Sequence, residues 1–300
     1  MSTSPAAPLV HSLIITVIAA LVALAGSDGG VSAWGVPVFA LCGALAFAIN
    51  WVAFVPSFAA QTEHYFDLTG SVTYLAAIGA AIWLSADQRG PDVVDARGLI
   101  LGGFVAVWAL RLGSFLFKRI RRAGSDGRFD DIKVSGTRFF RAWTLQGLWV
   151  LLTAACALAA ITTSAPAPLG VPALIGIALW LAGFATEVVA DRQKQAFRDD
   201  PKNRGQFITT GLWAWSRHPN YFGEIVLWLG VAVVAIPALS GWQHVTLISP
   251  VFVYLLLTRV SGVPLLERRA DERWGDDERY QRYKASTPAL FPRPPRALGD

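Results

Sequence analysis

Long apolar runs alternate with short polar connections along the whole chain. Each of eight runs is close to the roughly 20 residues that cross a bilayer as a helix. The predicted spans cover residues 9–26, 35–58, 68–86, 98–118, 143–162, 169–190, 222–239 and 243–260. The pattern predicts an all-α fold, a polytopic membrane helical bundle of seven or eight transmembrane helices. Seven applies if the first run is cleaved as a signal peptide or the last lies along the membrane surface.

The composition supports a membrane protein. Hydrophobic residues make up 54% of the 300 residues and charged residues 16%, whereas soluble domains carry about 25% charged residues. No hydrophilic block is long enough to be a separate soluble domain. We therefore expect one integrated membrane domain, in which residues 1–58 are N-terminal transmembrane helices and residues 59–300 hold the polar motifs.

The loop charges predict an orientation. Lys and Arg are concentrated in the connections at residues 118–141, 192–204 and 259–282, and are absent from the alternate connections at 26–34, 162–168 and 240–244. The connection at 85–97 is mixed, with two Arg and three Asp. Basic connections face the cytoplasm, so both termini of an eight-span chain would lie inside. Anionic membrane lipids are natural partners for these loops. This clustering explains the net charge of +5, and we predict no nucleic-acid partner.

The cysteines and histidines predict neither a disulfide nor a metal site. Cys42 and Cys156 lie in separate apolar runs and are read as small buried hydrophobic residues. The four histidines form no cluster with cysteine, so no metal is predicted.

The strongest candidate site is a polar segment, residues 205–228, between two apolar runs. Polar and charged groups that enter a spanning helix are costly and mark functional sites. We predict a binding site on the cytoplasmic side from these residues and from those at neighbouring span ends: Glu187, Asp191, Arg198, Lys202, Arg204, Trp213, Arg217, His218, Asn220, Tyr221, Glu224, Arg259 and Glu267.

The residue types in this set fit a phosphorylated ligand. Guanidinium groups match phosphate oxygens and bind them with two hydrogen bonds. The alternative is that the basic residues only follow the positive-inside rule. The interleaved acids, amides and tryptophans favour a ligand, because a nucleotide ring needs stacking surfaces and amide-type hydrogen bonds.

Carboxylates recur one helical turn from another polar residue at three span ends. Glu224 lies four residues after Asn220, Asp191 four after Glu187, and Asp67 four after Glu63. Residues spaced in this way share a helix face. The hypothesis is a common cavity on one side of the membrane; the alternative for Glu224 is a buried ion pair with an arginine.

The segment 61–67 is the candidate for substrate chemistry. It offers Gln61, Glu63, Tyr65 and Asp67 just before an apolar span. In a low-dielectric site a carboxylic acid can stay protonated near neutral pH and donate to a carbonyl oxygen. The alternative is an interfacial tyrosine with acids that complement a helix dipole.

Common soluble nucleotide motifs are absent. The chain contains no Gly-x-Gly-x-x-Gly after a strand, no Walker loop and no Gly-x-Ser-x-Gly. A nucleotide would therefore be held by a membrane-embedded architecture.

Four segments carry a resemblance to a known family. GLWAWSRHPNYFGE (211–224), DRQKQAFRDDPKNRGQF (191–207) and the pair SGVPLLE and YQRYKASTPALFP (261–267 and 280–292) resemble the C-terminal region of steroid 5α-reductases. They resemble more closely a bacterial family of membrane proteins related to those reductases. The resemblance covers about residues 60–293 and implies an NADPH-dependent enzyme of the bacterial inner membrane. Its expected reaction is reduction of a carbon–carbon double bond conjugated to a carbonyl, in a lipophilic substrate that arrives from the bilayer.

The resemblance also assigns roles residue by residue. Asp191, Arg198, Asn220 and Glu224 match cofactor contacts in type and spacing. Glu187 and Arg259 occupy further cofactor-lining positions, although Glu187 replaces an amide.

The substrate side departs from the family pattern. In the reductases a Gln–Glu pair and a tyrosine polarise the substrate carbonyl, and Gln61 with Glu63 or Asp67 could supply the pair. Trp108 stands where the tyrosine is expected, and Tyr65 and Tyr74 are the phenols that could replace it.

Two other functions compete. Isoprenylcysteine and phospholipid methyltransferases, which use S-adenosylmethionine, share a similar Arg-His-Pro core and C-terminal layout. A non-catalytic lipid-binding or transport protein would place polar residues at the membrane midplane, whereas here they gather at one face.

Overall fold

The computed structural model describes residues 6–90, 93, 95–123, 126–127 and 129–295. The helices and strands, in chain order, are α1 (Ala6–Gly26), β1 (Ser32–Ala33), β2 (Val36–Pro37), α2 (Val38–Ala59), α3 (Phe66–Arg89), α4 (Ala96–Ala123), α5 (Gly136–Thr162), α6 (Val171–Asp199), α7 (Pro219–Ala235), α8 (Ile248–Leu255), α9 (Val263–Trp274) and α10 (Glu278–Ser286). The strands β1 and β2 form a short antiparallel hairpin whose turn residues, Trp34 and Gly35, have positive φ angles.

Eight segments of the described chain are long and apolar enough to cross a membrane. Seven of them follow α1 to α7, and the eighth runs over Gly241–Trp274, through a 3₁₀ turn, α8, a π-helical turn and α9. The predicted all-α, polytopic membrane bundle is confirmed. The basic connection predicted after the fourth span is described in part: the side chains of residues 118–122 and all of Arg128 lie outside the described residues.

The contacts divide the chain into two compact units, which we describe separately. Unit 1 comprises the residues up to Leu174 together with Val231–Ser249, and unit 2 comprises Ile175–Gly230 and the residues from Pro250 onward. The predicted division at residue 58 falls near the end of α2, within unit 1, and stays a prediction.

In unit 1, α5 is the central helix. It packs against α1, α2, α3 and α4, and nearly all its residues from Gln146 to Thr162 are buried. This is the pattern of a helix that is apolar on every face. Near the start of α5, Phe139 and Trp143 of this helix form a buried aromatic cluster with Phe129.

Two arginines bind backbone carbonyls in unit 1. The guanidinium of Arg97, only 1% exposed, donates to the carbonyl oxygens of Val234 and Pro168, at 2.5 Å each, and of Ala167 at 3.3 Å. Arg89 donates to Ile161 O and forms an ion pair with Asp95. Carbonyls in the last turn of a helix have no partner within the helix, so Arg97 supplies a donor to Val234 near the end of α7, and Arg89 supplies one to Ile161 near the end of α5.

In unit 2, α6 and α7 pack at glycines. A Cβ atom added to Gly223 would lie 2.6 Å from the carbonyl oxygen of Gly183, and one added to Gly230 would lie 2.6 Å from the backbone nitrogen of Trp180. Small residues at such positions let membrane helices approach closely enough for backbone contact. This packing brings together polar residues of α6 and α7.

Candidate functional site

The predicted polar segment forms a turn that leads into α7. Pro219 is the first residue of the helix, where its missing N–H costs nothing. Ser216 Oγ accepts a hydrogen bond from the backbone N–H of His218 at 3.1 Å and donates to the carbonyl of Leu290 at 2.9 Å. The chain after α10 is also bound at this turn, since Arg293 N donates to the carbonyl of Trp215 at 3.0 Å.

Glu267, on α9, binds two adjacent residues of this segment. Its carboxylate accepts from Arg217 Nε at 3.1 Å and Nη2 at 3.0 Å, and from His218 Nε2 at 2.7 Å. Arg217 Nη1 also donates to the carbonyls of Lys284 and Thr287, near the end of α10. The Arg217 guanidinium therefore joins the start of α7 to α9 and α10.

His218 is a neutral hydrogen-bonding group. Burial lowers the pKa of His218 below its ordinary value, and the hydrogen bond to Glu267 opposes this effect without cancelling it. Because Nε2 donates to the carboxylate, Nδ1 carries the lone pair in the neutral ring. Nδ1 is buried and has no hydrogen-bond partner among the described residues, so it can accept one from a ligand.

Asp191 and Asn220 meet between α6 and α7. The amide Nδ2 of Asn220 donates to Asp191 Oδ1 at 3.1 Å. Glu187 is buried one turn before Asp191, and its backbone nitrogen lies 2.7 Å from where a Cβ on Gly223 would be. Glu224 is partly buried one turn after Asn220. The two residue pairs predicted in this unit, Glu187 with Asp191 and Asn220 with Glu224, therefore lie on the neighbouring helices α6 and α7.

A cavity of about 350 Å³ opens in unit 2. This volume is within the range of small-molecule sites, roughly 300–1,000 Å³. Five predicted site residues line it, namely Arg198, Trp213, Arg217, His218 and Glu267. The wall also includes these cationic and aromatic residues: Lys194, Arg269, Arg273, Phe207, Trp274, Tyr280 and Tyr283.

The aromatic residues of this wall pack against one another. The rings of Phe207 and Trp274 are 5.6 Å apart, and those of Phe207 and Tyr280 are 5.3 Å apart. Tyr280 donates its hydroxyl to Asp271 at 3.0 Å and Tyr283 donates to the carbonyl of Trp213 at 2.7 Å. Burial raises the pKa of both phenols above the ordinary value, so they stay protonated.

Other predicted cofactor residues of unit 2 do not line this cavity. Lys202 and Arg204 lie in and just after the 3₁₀ turn Pro201–Asn203, and Arg259 lies in the π-helical turn Leu256–Val260. The ring of Tyr221 stacks on the ring of His218 at 5.7 Å. Their roles toward a ligand stay predictions, as do those of Glu187, Asp191, Asn220 and Glu224.

Glu267 is the one residue of α9 and α10 in the site prediction, which left out the other described residues of these helices that line the cavity. Arg269 and Arg273 are four residues apart on α9, and so are Lys194 and Arg198 on α6. This spacing puts each pair on one helix face and was a usable signal. Only pairs that include a carboxylate were predicted from this spacing.

The candidates for substrate chemistry lie in unit 1, and one expectation about them fails. Helix α3 begins at Phe66, so Glu63 precedes the helix and does not pair with Asp67 along a helix face. Glu63 is 3% exposed and accepts hydrogen bonds from the backbone N–H of Asp126 and from Lys133 Nζ, both at 2.9 Å. Burial raises the pKa of Glu63, but these hydrogen bonds outweigh burial and hold it below its ordinary value. The lowered pKa favours the ionised form of Glu63, so this residue does not suit the role of a protonated acid.

The other residues of this segment have different surroundings. Gln61 has a positive φ angle and donates its side-chain amide to the carbonyl of Phe58 at 2.8 Å, near the end of α2. Tyr65 is 56% exposed and lines an apolar groove between α2 and α3, and Asp67 is in the first turn of α3. Trp108 is buried and makes an edge contact with Tyr74 at 5.1 Å, so a phenol does lie beside it.

The comparisons with known proteins decide the family. The model of the family described as "Protein of unknown function (DUF1295)" matches residues 53–287. The chain belongs to this family. DUF1295 proteins are related to steroid 5α-reductase-like membrane proteins. The match includes the candidate residues of both units.

One curated relative of this DUF1295 chain carries a name that suggests an activity. The "Probable O-methyltransferase ustE" of Ustilaginoidea virens is 27% identical over 146 residues, which cover 40% of this chain and 51% of that protein. The chain thus spans about half the length of this curated relative. No solved structure matches the chain.

Proposed function

We propose that this protein is an integral membrane reductase that uses NADPH. The substrate class would be lipophilic, steroid- or isoprenoid-like molecules with a carbon–carbon double bond conjugated to a carbonyl. The observation that carries the proposal is the charge of the cavity in unit 2. Five cationic side chains line it, while its only carboxylate among the described lining residues, Glu267, is already bound to Arg217 and His218.

The residues that line this cavity fit the phosphates of a dinucleotide. Guanidinium groups bind phosphate oxygens with two hydrogen bonds, and the cavity wall offers Arg198, Arg269 and Arg273 for this purpose. Its aromatic side chains offer stacking surface for a base. The unpartnered Nδ1 of His218 can accept a hydrogen bond from a ribose hydroxyl or an amide.

Bound NADPH would supply a hydride to the β-carbon of the substrate, and a proton would go to the α-carbon. The contribution of unit 2 is to hold and orient the cofactor through the cations, the aromatic wall and the Asp191–Asn220 pair. For the substrate, Tyr65 and Asp67 stay the proposed polar groups. Glu63 is proposed to position Lys133 and the chain at Asp126, because both oxygens of its carboxylate are already hydrogen-bonded.

A second candidate function is methyl transfer from S-adenosylmethionine to a lipid or prenyl substrate. It is favoured by the name of the curated relative, a probable O-methyltransferase. The cavity charge argues against it, because S-adenosylmethionine has no phosphate and carries a cationic sulfonium. A wall of cations would repel that centre.

The two functions are separated by ligand binding to the detergent-purified full chain. NADPH, NADH and S-adenosylmethionine are compared by thermal stabilisation and by isothermal titration calorimetry. A ligand at about 100 times its dissociation constant adds roughly 2.7 kcal/mol to the stability if it binds only the folded state. We expect NADPH to stabilise the protein and S-adenosylmethionine to have no effect. Stabilisation by S-adenosylmethionine alone would overturn the reductase proposal.

Activity is tested next with NADPH and a panel of lipophilic enones in lipid nanodiscs. The expected result is consumption of NADPH that depends on the enone, with recovery of the saturated ketone. A methylated product formed from S-adenosylmethionine would establish the second candidate instead.

A further inference from the structure

Two pairs of cations line the cavity of unit 2 from two different helices. Lys194 and Arg198 are one turn apart on α6, and Arg269 and Arg273 are one turn apart on α9. Like charges at this spacing destabilise a helix. A bound anion removes that repulsion.

Ion pairing of nearby residues shows that carboxylates are available in this unit. Arg279 pairs with Asp277 at 2.9 Å, and Lys284 pairs with Asp271 at 2.5 Å. In contrast, no carboxylate within the described part of the chain lies in ion-pair distance of Lys194, Arg269 or Arg273. These three cations line the cavity and have no acid partner among the described residues.

Two of these cations lie instead over aromatic rings. Lys194 Nζ is 4.4 Å from the centre of the Trp213 ring, and the Arg273 guanidinium is 4.9 Å from the centre of the Trp274 ring. A cation–π contact orients a cation and leaves its charge in place. Both groups therefore keep their hydrogen-bond donors for a ligand.

Each pair has one cation over a tryptophan ring, but the remaining neighbours of the two pairs differ. The α6 pair follows Asp191, whose carboxylate is bonded to the amide of Asn220. The α9 pair is next to the aromatic wall, where Trp274 packs against Phe207. A polar neighbourhood suits the bridging phosphates and ribose of a dinucleotide, whereas a flat aromatic wall suits the adenine end. An arginine near the adenosine ribose is the usual means of accepting a 2′-phosphate.

We propose that Arg269 and Arg273 form a specificity site for the 2′-phosphate of NADPH, and that Lys194 and Arg198 bind the bridging phosphates. The inference rests on the proposed function and adds to it the residues that distinguish NADPH from NADH. The juxtaposition that carries it is two cation pairs on separate helices that line one cavity.

The test measures the dissociation constants of NADPH and NADH by isothermal titration calorimetry on the detergent-purified full chain. These ligands differ only in the 2′-phosphate. The wild-type chain should prefer NADPH by roughly 10- to 100-fold, the range expected for hydrogen bonds to a charged group. The double variant Arg269→Gln/Arg273→Gln should lose this preference, because it should bind NADPH more weakly while its affinity for NADH stays unchanged.

Two control variants separate specificity from general charge loss. Lys194→Gln should lower the affinities for NADPH and NADH by the same factor, because both ligands carry the bridging phosphates. Arg268→Gln removes a cation on α9 that does not line the cavity and should change neither constant.

The outcomes distinguish the two proposals. A wild-type chain that binds both dinucleotides equally, or a double variant that keeps the preference, would overturn the 2′-phosphate site and leave the reductase proposal standing. A wild-type chain that binds neither dinucleotide would overturn both. Unchanged NADH affinity in the double variant also shows that it is folded.

Discussion

Replacement of Gly183 by alanine is expected to force α6 and α7 apart. A Cβ atom at this position would lie 2.5 Å from the backbone nitrogen of Leu227 and 2.6 Å from the carbonyl oxygen of Gly223. Real Cβ atoms essentially never make such contacts. Both contacted atoms belong to the backbone, so no side-chain rotation relieves the overlap and the helices themselves must move.

The magnitude follows from two opposing effects. Overpacking of a dense interior costs about 1–3 kcal/mol. Alanine in place of a helical glycine gains up to about 1 kcal/mol in helix propensity. Because rigid backbone is contacted on the neighbouring helix, we expect a net loss of about 1–2 kcal/mol in the free energy of unfolding.

The assay is equilibrium unfolding in mixed micelles, with Gly79→Ala as the matched control. Gly79 lies on α3, and a Cβ added there has no heavy atom within 4 Å. The control should therefore be neutral or slightly stabilising. If Gly183→Ala is as stable as Gly79→Ala, the close approach of α6 and α7 is refuted.

The same substitution should also weaken the binding of the ligand. The hydrogen bond of 3.1 Å between Asp191 and Asn220 joins the two helices that would separate. We expect Gly183→Ala to lower NADPH affinity even at temperatures where the variant is folded. Normal affinity in a destabilised variant would mean that this pair does not contribute to the site.

Three further predictions test other parts of the molecule. Arg97→Met should lower the free energy of unfolding by about 3 kcal/mol, because it leaves buried carbonyls without donors. The control Arg192→Met, at an exposed position, should be neutral. Thermal unfolding measures both variants. Since the pKa of Glu63 is lowered in the fold, its contribution to stability is present above the ordinary pKa of about 4.3 and lost as the pH falls through the lowered value. Lys133→Met should reduce that loss in a series of melting temperatures against pH, and an unchanged pH dependence would contradict the ion pair. Glu224→Gln should abolish NADPH binding in calorimetry with little change in melting temperature, and retained affinity would count against its assigned role.

The distribution of apolar residues predicted most of the fold. Span lengths are a local property, since each helix needs about 20 apolar residues whatever its neighbours are. The ends of the helices were less predictable. Helix α6 extends to Asp199, well past the predicted end of the sixth span at residue 190. Polar residues continue a helix outside the apolar run, so hydropathy marks the span but not the helix.

The residues of the candidate site were predicted only in part. Sequence reasoning found Arg217, His218 and Glu267 as candidates but did not pair them with one another. It placed Glu63 on a helix with Asp67, whereas the chain turns before α3 begins at Phe66. Which acid meets which base depends on residues distant in sequence, here 50 positions apart for Arg217 and Glu267.

The sequence by itself determined the order of the apolar helices, the polar segment before α7 and the family to which the chain belongs, and it left open whether seven or eight helices span the membrane. Only the tertiary structure decided that α9 and α10 fold against this segment, that Glu63 is ionised beside Lys133, and that α6 and α9 line one cavity with cations. The physical reason is that hydropathy and helix propensity act between near neighbours in the chain. The pairing of charges and the shape of a cavity arise from close packing between distant segments, which local pattern does not encode.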